Sequence, residues 1–331
     1  MRLKTNNEKL IDTLREKVLL KNERKILIAN LNNSKENEDN YTKTNCQGYG
    51  RVRIFKNFSI HFSLENQKTR KPLFRGHPPV EELRSQVFQL AACNWRCWYC
   101  FVDFELLAGN EKFGSFFTAD ELVDMFLNEH NHPNVLDLSG GQPDIVPEWC
   151  LWTMQSLEER KMNDKVFLWM DDNLGTETLW EVLTPEEINY MANYPLHSRA
   201  CCFKGYDDNS FRFNTANLYS NHESQLRIFD KLHKEGFNLY AYITLTSPEG
   251  NTTPQKISDF IDRLQAIHPN VPLRTIPLEI QPFNAMVSRK NAAQTQSLEE
   301  QSKAYYYWWE EMTKRFSSKE LEMPYDDISL Y

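Results

Sequence analysis

Short apolar runs alternate with amphipathic stretches along the chain between residues 85 and 283. Apolar runs of this kind are typical of buried strands, and apolar residues spaced three and four apart are typical of helices that cover a sheet. Strands that alternate with helices indicate a parallel α/β sheet. The predicted strands are residues 85–92, 135–138, 166–170, 198–203, 239–245 and 273–280. Six strand–helix units make an incomplete (β/α) barrel, in which chemistry gathers at the C-terminal strand ends.

The helices between these strands have recognisable ends. Thr118 and Glu121 have the spacing of a capping box, which predicts a helix from there to about residue 130. Gly236 stands at a position typical of a helix C-cap. Further helices are predicted at residues 148–161, around Ile188 and Met191, at residues 221–234 and at residues 257–267.

The N-terminal part of the chain has a different pattern. Residues 1–45 are polar, charged and rich in asparagine, so we expect a flexible segment with one short helix from Leu10 to Leu20 and a linker over residues 32–44. Residues 46–84 form a predicted N-terminal extension, in which partial alternation over residues 50–75 indicates a hairpin.

The remaining chain divides into a predicted core at residues 85–283 and a C-terminal helical extension at residues 284–331. A helix is predicted over residues 298–316, and it contains five consecutive aromatic residues at 305–309. Five consecutive side chains cannot share one helix face, so some of them must contact another element.

The charge balance restricts the partners of the protein. Lysine and arginine number 38 against 46 aspartates and glutamates, a net charge of −8, and mean hydropathy is −0.63. The acidic balance argues against broad binding to nucleic acid or to an anionic membrane surface. No apolar run approaches the roughly 18 residues of a membrane-spanning helix, and residues 1–25 lack the apolar stretch of a secretory signal. We therefore expect a cytoplasmic protein.

Seven cysteines in a chain of 331 residues suggest a metal or redox use rather than disulfides. Three of them, Cys93, Cys97 and Cys100, have C-x3-C-x2-C spacing, so their sulfurs can converge on one metal centre. A zinc ion would need a fourth ligand, for which His130 and His132 are candidates. A [4Fe–4S] cubane held by three cysteines would keep one iron open. The spacing alone does not decide between the two.

The context of the cysteines narrows the choice. The loop CNWRCWYC follows the predicted strand at residues 85–92, and Tyr99 stands just before Cys100. The next strand, residues 135–138, ends in the sequence SGGQP at residues 139–143. Two glycines at a strand end expose backbone groups and allow a ligand to approach closely.

This pair of motifs resembles the radical S-adenosylmethionine (radical SAM) enzymes, whose signature is a C-x3-C-x-aromatic-C loop after the first strand and a GGE-like motif after the second. The resemblance implies a partial (β/α)6 TIM-like barrel with N- and C-terminal extensions. It also implies a [4Fe–4S] cluster held by Cys93, Cys97 and Cys100. Gln142 stands where the family most often has glutamate, and the expected contact uses mainly backbone carbonyls.

The resemblance implies a reaction as well. The open iron would be chelated by the amine and carboxylate of SAM, and a reductant such as flavodoxin or ferredoxin would drive cleavage to a 5′-deoxyadenosyl radical that abstracts hydrogen. Gly140, Gly141 and Gln142 would receive the methionine amine, and Tyr99 would shape the adenine pocket, largely through its backbone. A side chain at Gly141 is therefore expected to weaken SAM binding and to spare the cluster.

Three further residues at strand ends are candidates for SAM contacts. Asp171 would bind a ribose hydroxyl, although a turn or N-cap role is the alternative. Lys204 would pair with the SAM carboxylate unless it is a surface lysine, and Thr244 would face SAM. Residues 203–206, followed by Phe211 and Thr215, more loosely resemble glycyl-radical-enzyme activating proteins, which favours hydrogen abstraction from a protein or peptide.

The other cysteines point to one cluster. Cys201 and Cys202 are neighbours in a strand, so they point to opposite faces and are expected to be buried, inert thiols. No cysteine follows Cys202, so a C-terminal extension with auxiliary clusters is not expected. The preferred interpretation is a radical SAM oxidoreductase or lyase. The alternatives are a radical SAM enzyme for a small molecule or nucleotide, and a zinc-stapled, non-catalytic binding protein.

Overall fold

The computed structural model describes residues 4–32, 34–38, 42–54, 83–217 and 219–331. Within these residues two sheets are present. The strands are β1 (Leu19–Leu20), β2 (Lys25–Ala29), β3 (Thr42–Asn45), β4 (Gly50–Ile54), β5 (Arg84–Gln89), β6 (Gly114–Thr118), β7 (Val135–Ser139), β8 (Phe167–Asp172), β9 (His197–Phe203), β10 (Leu239–Thr244) and β11 (Thr275–Leu278).

The described helices connect and cover these strands. They are α1 (Asn6–Val18), α2 (Ala119–Asn128), α3 (Pro147–Glu159), α4 (Thr178–Val182), α5 (Pro185–Ala192), α6 (Asp208–Thr215), α7 (His222–Lys234), α8 (Pro254–Ile267), α9 (Asn284–Val287), α10 (Ala292–Arg315) and α11 (Ser318–Glu322). The predicted capping box of Thr118 and Glu121 begins α2, and Asn221 caps α7.

The larger sheet carries the predicted architecture. Its order is β11-β10-β9-β8-β7-β5-β4-β3 in the described part of the chain. The six strands from β5 to β11 in this order are parallel, and β4 and β3 add antiparallel to the β5 side. The parallel strands lie in chain order, so each connecting helix returns the chain to the next position in the sheet. The protein is therefore a mixed α/β fold with a parallel sheet.

The two faces of this sheet are both buried. One face packs on the helices in a large apolar core that includes Leu138, Met170 and Ile243. The other face has its own aromatic cluster around Trp169 and Tyr240, whose rings lie 5.2 Å apart. Burial on both faces explains why the strands read as nearly continuous apolar runs.

The strand predictions are confirmed with shifts of at most three residues at the ends, and the last predicted strand is shortened at both ends. That strand begins at Thr275 because Val271–Arg274 forms a 3-10 helix with Pro272 near its start. In α10, Tyr305 and Trp308 are buried while Tyr306 is 47% exposed. The Trp308 ring lies 6.3 Å from that of Phe260 in α8, so the aromatic run packs partly within the chain.

The N-terminal segment differs from the expectation of a flexible stretch. Helix α1 has a capping box at Thr5 and Glu8, and it buries Ile11, Leu14 and Val18. Strand β2 pairs antiparallel with β6 and is almost entirely buried. The three buried residues of α1 share one helix face and four of the five residues of β2 are buried, but composition averaged over residues 1–45 conceals both elements.

The other predictions for the flanks have mixed outcomes. The linker expected over residues 32–44 includes a 3-10 turn at Lys35–Glu38 and most of β3. The hairpin expected over residues 50–75 lies mostly outside the described residues, and the hairpin that is described joins β3 to β4. The domain boundaries stay predictions. None of the described helices has the length and apolarity needed to cross a membrane.

Candidate functional site

A cavity of about 220 Å³ opens at the C-terminal ends of the parallel strands. Every residue that the sequence singled out for the site lines it: Cys93, Cys97, Tyr99, Cys100, Gly140, Gly141, Gln142, Asp171, Lys204 and Thr244. These ten residues come from five segments that are far apart in the chain. The sheet brings them together because the carboxyl ends of parallel strands share one edge.

The cysteine loop is fixed by its backbone. The Cys100 amide donates to the Cys97 carbonyl at 3.0 Å, which makes a tight turn between the last two cysteines. The Arg289 guanidinium donates to the Cys100 carbonyl at 2.6 Å and stacks over the Phe104 ring at 4.1 Å. At the other end of the loop, Arg96 donates to the Cys93 carbonyl at 2.7 Å. The three thiols are not joined in disulfides.

The three cysteines are half-buried and lie beside a cation. Burial raises the pKa of Cys97 to about 12, against the opposing effect of Lys204, and burial raises the pKa of Cys100 to about 11. The Trp95 amide lies 3.5 Å and the Asn173 side-chain amide 3.8 Å from the Cys93 sulfur, as weak donors to it. Bound metal would displace the thiol protons, because the thiolate is the ligand.

The donor set fits an iron–sulfur cluster by its chemistry. Within the described ranges no three histidine, cysteine, aspartate or glutamate side chains are grouped so that they could hold a metal ion as they stand. Three thiolates on one zinc ion must come within roughly 4 Å of one another, since each Zn–S bond is about 2.3 Å. In a cubane each thiolate binds a different iron, so three thiols around one cavity are the appropriate set. Neither His130 nor His132, the candidate zinc ligands, is among the residues that line the cavity.

The two glycines are required for close packing. Gly140 has φ +82°, and a Cβ there would lie 2.0 Å from the Gln89 side chain. At Gly141 a Cβ would lie 2.1 Å from the carbonyl oxygen of Ala92. A side chain at Gly141 therefore meets the backbone that leads into Cys93. The expectation that it would spare the cluster is at odds with this geometry, since the cysteine loop itself would have to move.

Both the amide nitrogen and the amide oxygen of the Gln142 side chain are hydrogen-bonded within the protein. Its Nε2 donates to Asp172 Oδ1 at 2.8 Å, and its Oε1 accepts from the backbone amide of Asn173 at 2.8 Å. The backbone amide of Gln142 donates to the Ala92 carbonyl at 2.8 Å. The side chain is completely buried. Contact of the Gln142 backbone with a ligand stays a prediction.

Asp171 and Asp172 have separate positions at the end of β8. Asp171 lines the cavity and accepts from Trp169 Nε1 at 3.1 Å and from the Ser139 hydroxyl. Asp172 accepts from the Leu174 amide at 2.7 Å, and Arg199 lies 3.3 Å from its carboxylate. The turn role that was the alternative for Asp171 belongs to Asp172.

Lys204 is a half-buried cation in the cavity. The structure gives its ammonium no hydrogen bond and no ion pair within the described residues. Burial alone would lower the pKa of Lys204. Its pKa is nevertheless raised well above its ordinary value by interaction with Tyr99 and with the thiols of Cys202, Cys97 and Cys93. Lys204 is therefore half-buried in the cavity, and its contact with the SAM carboxylate stays a prediction.

Tyr99 and Thr244 contact each other. Their hydroxyls lie 3.0 Å apart, and both side chains are buried. The expectation that Tyr99 acts largely through its backbone omitted this contact, which ties the cysteine loop to the end of β10. The Thr244 hydroxyl therefore already has a hydrogen-bond partner within the protein.

Sequence reasoning missed four kinds of residue at the site. Cys201 is buried and faces the helices, whereas Cys202 is half-buried and lines the cavity, so the expectation of a buried thiol holds for Cys201 and not for Cys202. Asn214, on α6, is completely buried and accepts from Trp98 Nε1 at 3.1 Å. The side chains of Arg51 and Arg53 in β4, and of Glu279 after β11, also line the cavity. The position of Cys202 two residues before Lys204 is the one signal that the sequence contained.

Comparisons with known proteins give structural matches alone. No family model and no curated protein sequence matches the chain. SuiB of Streptococcus suis bound to the precursor peptide SuiA matches with a TM-score of 0.43 and 12% identity, over 69% of this chain and 46% of SuiB. SuiB bound to S-adenosylmethionine matches with a TM-score of 0.42 and 13% identity, over 69% and 47%. Native anSMEcpe with bound AdoMet matches with a TM-score of 0.42 and 12% identity, over 68% and 59%.

The chain thus spans about half the length of the SuiB structures that it matches. At 12–13% identity and TM-scores below 0.5, the likeness concerns part of the fold, and no functional assignment rests on it. These structural neighbours are radical SAM enzymes, the superfamily whose cysteine and glycine motifs this sequence resembles.

Proposed function

We propose that this protein is a radical SAM enzyme that holds one [4Fe–4S] cluster on Cys93, Cys97 and Cys100 and binds SAM beside it. The observation that carries the proposal is that three groups converge on one cavity: these three thiols, the Gly140–Gly141 turn and Lys204, whose ammonium has no partner among the described residues. A cluster with SAM on its open iron supplies, after reduction, a 5′-deoxyadenosyl radical that abstracts hydrogen.

The chain's own residues bind and orient the cofactor. Lys204 presents a positive charge to the carboxylate of SAM, and Asp171 offers an acceptor for ribose hydroxyls. The backbone from Gly140 to Gln142 presents carbonyls for the methionine amine. Aromatic rings line the cavity: the half-buried Phe101 and Phe283 pack edge to face at 6.0 Å, and Tyr99 is buried. Exclusion of water protects a reactive radical from side reactions.

The six parallel strands are proposed to form the partial (β/α)6 barrel of this superfamily, with the cavity at its mouth. The substrate is proposed to be a protein or peptide because residues 203–206 resemble glycyl-radical-enzyme activating proteins. A small molecule or nucleotide is the alternative substrate class. Substrate-dependent formation of 5′-deoxyadenosine separates these classes when candidate substrates are compared. A flavodoxin or ferredoxin is the proposed reductant.

The test is anaerobic reconstitution with iron and sulfide, followed by EPR of the dithionite-reduced protein with and without SAM. We expect a [4Fe–4S]⁺ signal that changes when SAM is added. Cys97→Ala should abolish the signal, while Cys202→Ala, which removes a fourth thiol of the same cavity, should retain it. A colourless protein that binds zinc under these conditions would contradict the proposal and favour the zinc-stapled alternative. Loss of the signal in Cys202→Ala would show that the ligand set is wrong.

A further inference from the structure

Six charged side chains of the described residues line the cavity, and their partners divide them into two groups. The six are Arg51, Arg53, Asp171, Asp172, Lys204 and Glu279. Four are engaged by the protein itself. Three of these four make ion pairs, namely Arg51–Glu36 at 3.2 Å, Arg53–Asp137 at 2.9 Å and Asp172–Arg199 at 3.3 Å. The fourth, Asp171, accepts the hydrogen bonds of Trp169 and Ser139.

Lys204 and Glu279 are the remaining two. The structure gives the Glu279 carboxylate no hydrogen bond and no ion pair to any residue that it describes, and the same holds for the Lys204 ammonium. The two do not pair with each other. A half-buried charge without a partner is costly, so a cavity that keeps two of opposite sign is suited to ligands that complement both.

The two charges lie in different surroundings. Lys204 interacts with Tyr99 and with the cysteine thiols, so it lies on the side of the proposed cluster. The charge of Glu279 instead affects Tyr305 of α10. Burial raises the pKa of Tyr305 well above its ordinary value, and the negative charge of Glu279 raises it further. Glu279 therefore lies toward α10, apart from the cofactor side.

The position of Glu279 is fixed by the backbone that follows it. The Ile280 amide donates to Gln301 Oε1 at 3.0 Å, and Gln301 Nε2 donates to the Ile280 carbonyl at 3.1 Å. This pair of hydrogen bonds anchors the end of β11 to α10. The neighbouring lining residues Leu278, Ile280 and Phe283 are apolar, and an apolar wall strengthens the attraction between the carboxylate and a cation.

We propose that Glu279 is the specificity-determining residue for the substrate, and that it binds a primary ammonium or guanidinium at the end of an aliphatic stem. The apolar side chains around it would contact the stem, and the carboxylate would pair with the charged head. The inference rests on the proposed function, since it assigns the thiol side of the cavity to the cofactor and the α10 side to the substrate.

The test measures binding of small probes to the SAM-loaded, reconstituted protein by ligand-observed NMR under anaerobic conditions. The probes are pentylammonium, neutral 1-pentanol and anionic pentanoate, which have the same stem. We expect pentylammonium to bind at least about fivefold more tightly than pentanol, with pentanoate the weakest. Glu279→Gln should remove this preference, and it should leave the affinity for SAM unchanged. Glu299→Gln, at an exposed position of α10, is the matched control.

Three results would overturn the inference. These are equal binding of pentylammonium and pentanol, an unchanged preference in Glu279→Gln, and a loss of SAM affinity in Glu279→Gln, which would make Glu279 a cofactor ligand. The same titration on protein without a cluster keeps this test separate from the proposed function. A protein that forms no cluster but binds pentylammonium through Glu279 would contradict the proposed function and leave the cation site in place.

Discussion

Gln142 donates a hydrogen bond from its side-chain amide to the carboxylate of Asp172 at 2.8 Å, and both side chains are buried. The bond joins the loop after β7 to the end of β8, where two neighbouring parallel strands deliver residues to the cavity. The donor role explains why an amide suits this position. Radical SAM enzymes, which the motifs of this sequence resemble, more often have glutamate at this position. A glutamate here would place a second carboxylate against Asp172.

Gln142→Glu is predicted to destabilise the protein by about 2–3 kcal/mol at pH 7, since a buried donor is lost and two carboxylates are brought together. The loss of stability should become smaller as pH falls, because the introduced carboxyl group has a raised pKa and donates a hydrogen bond to Asp172 once it is protonated. Urea denaturation at pH 7.5 and at pH 5.5 measures both effects.

The double variant Gln142→Glu with Asp172→Asn is the control for this prediction. The asparagine can donate to the introduced carboxylate, so part of the lost stability should return at pH 7. A double variant less stable than the sum of the two single changes would show that the Gln142–Asp172 bond is not the cause.

The contrast between Gly141 and Gly236 gives a second prediction. Gly236 has φ +87° and nothing within 4 Å of a Cβ, so Gly236→Ala should cost about 1 kcal/mol from backbone conformation alone. Gly140→Ala has a similar φ, and it must also displace the flexible Gln89 side chain. Gly141→Ala meets the backbone oxygens of Ala92 and Leu90, so it should be the most disruptive of the three.

The measurement for the three glycine variants combines thermal unfolding with iron content after reconstitution. We expect Gly236→Ala to keep full iron content and Gly141→Ala to lose both stability and iron. A Gly141→Ala protein that loads iron normally but binds SAM weakly would instead support the simpler view of an obstructed ligand.

The sequence was sufficient for the parts of the structure that depend on local pattern. Strand β7 and its SGGQP end, the cysteine loop and the capping box at Thr118 were all found from neighbouring residues. These features are encoded within a few positions, so periodicity and spacing reveal them.

The parts that were missed depend on contacts between distant residues. Asn214 contacts Trp98, which is 116 positions away, and no local pattern distinguishes it from any other helix asparagine. Glu279 is notable because its carboxylate has no partner in the described part of the chain, which the sequence cannot reveal. Helix α1 was underestimated because its three buried residues are diluted by charged neighbours.

Asn214 leads to a third prediction, because all four hydrogen-bonding capacities of its side chain are used. Its amide group donates to the carbonyls of Lys204 at 2.9 Å and Thr246 at 2.8 Å. Its oxygen accepts from Trp98 Nε1 at 3.1 Å and from the Thr246 hydroxyl at 2.8 Å. This one side chain therefore ties the cysteine loop to the ends of β9 and β10.

Asn214→Ala should cost about 3 kcal/mol or more, since buried donors and acceptors lose their partners. Hydrogen exchange should speed up in the cysteine loop before it does in the distant helix α5. Asn209→Ala, on the same helix with a single weak side-chain bond at 3.3 Å, is the control. Equal exchange in the cysteine loop of the two variants would refute the coupling.

The last prediction concerns the contribution of one buried histidine, His197, to stability in acid. His197 lies at the start of β9, and its Nδ1 donates to the Leu168 carbonyl at 2.9 Å. Burial lowers the pKa of His197 to about 3, with a further lowering by Arg199, while in the unfolded chain it titrates near about 6.5. The folded protein therefore binds fewer protons at this site, and stability is lost as pH falls from about 6.5 toward 3, by up to about 1.4 kcal/mol per pH unit.

His197→Gln keeps a donor but removes the titration, so its free energy of unfolding should fall less steeply between pH 6 and pH 4.5. His130→Gln, at an exposed position, should keep the wild-type slope. An unchanged slope in His197→Gln would mean that other groups, chiefly carboxylates, account for the acid sensitivity.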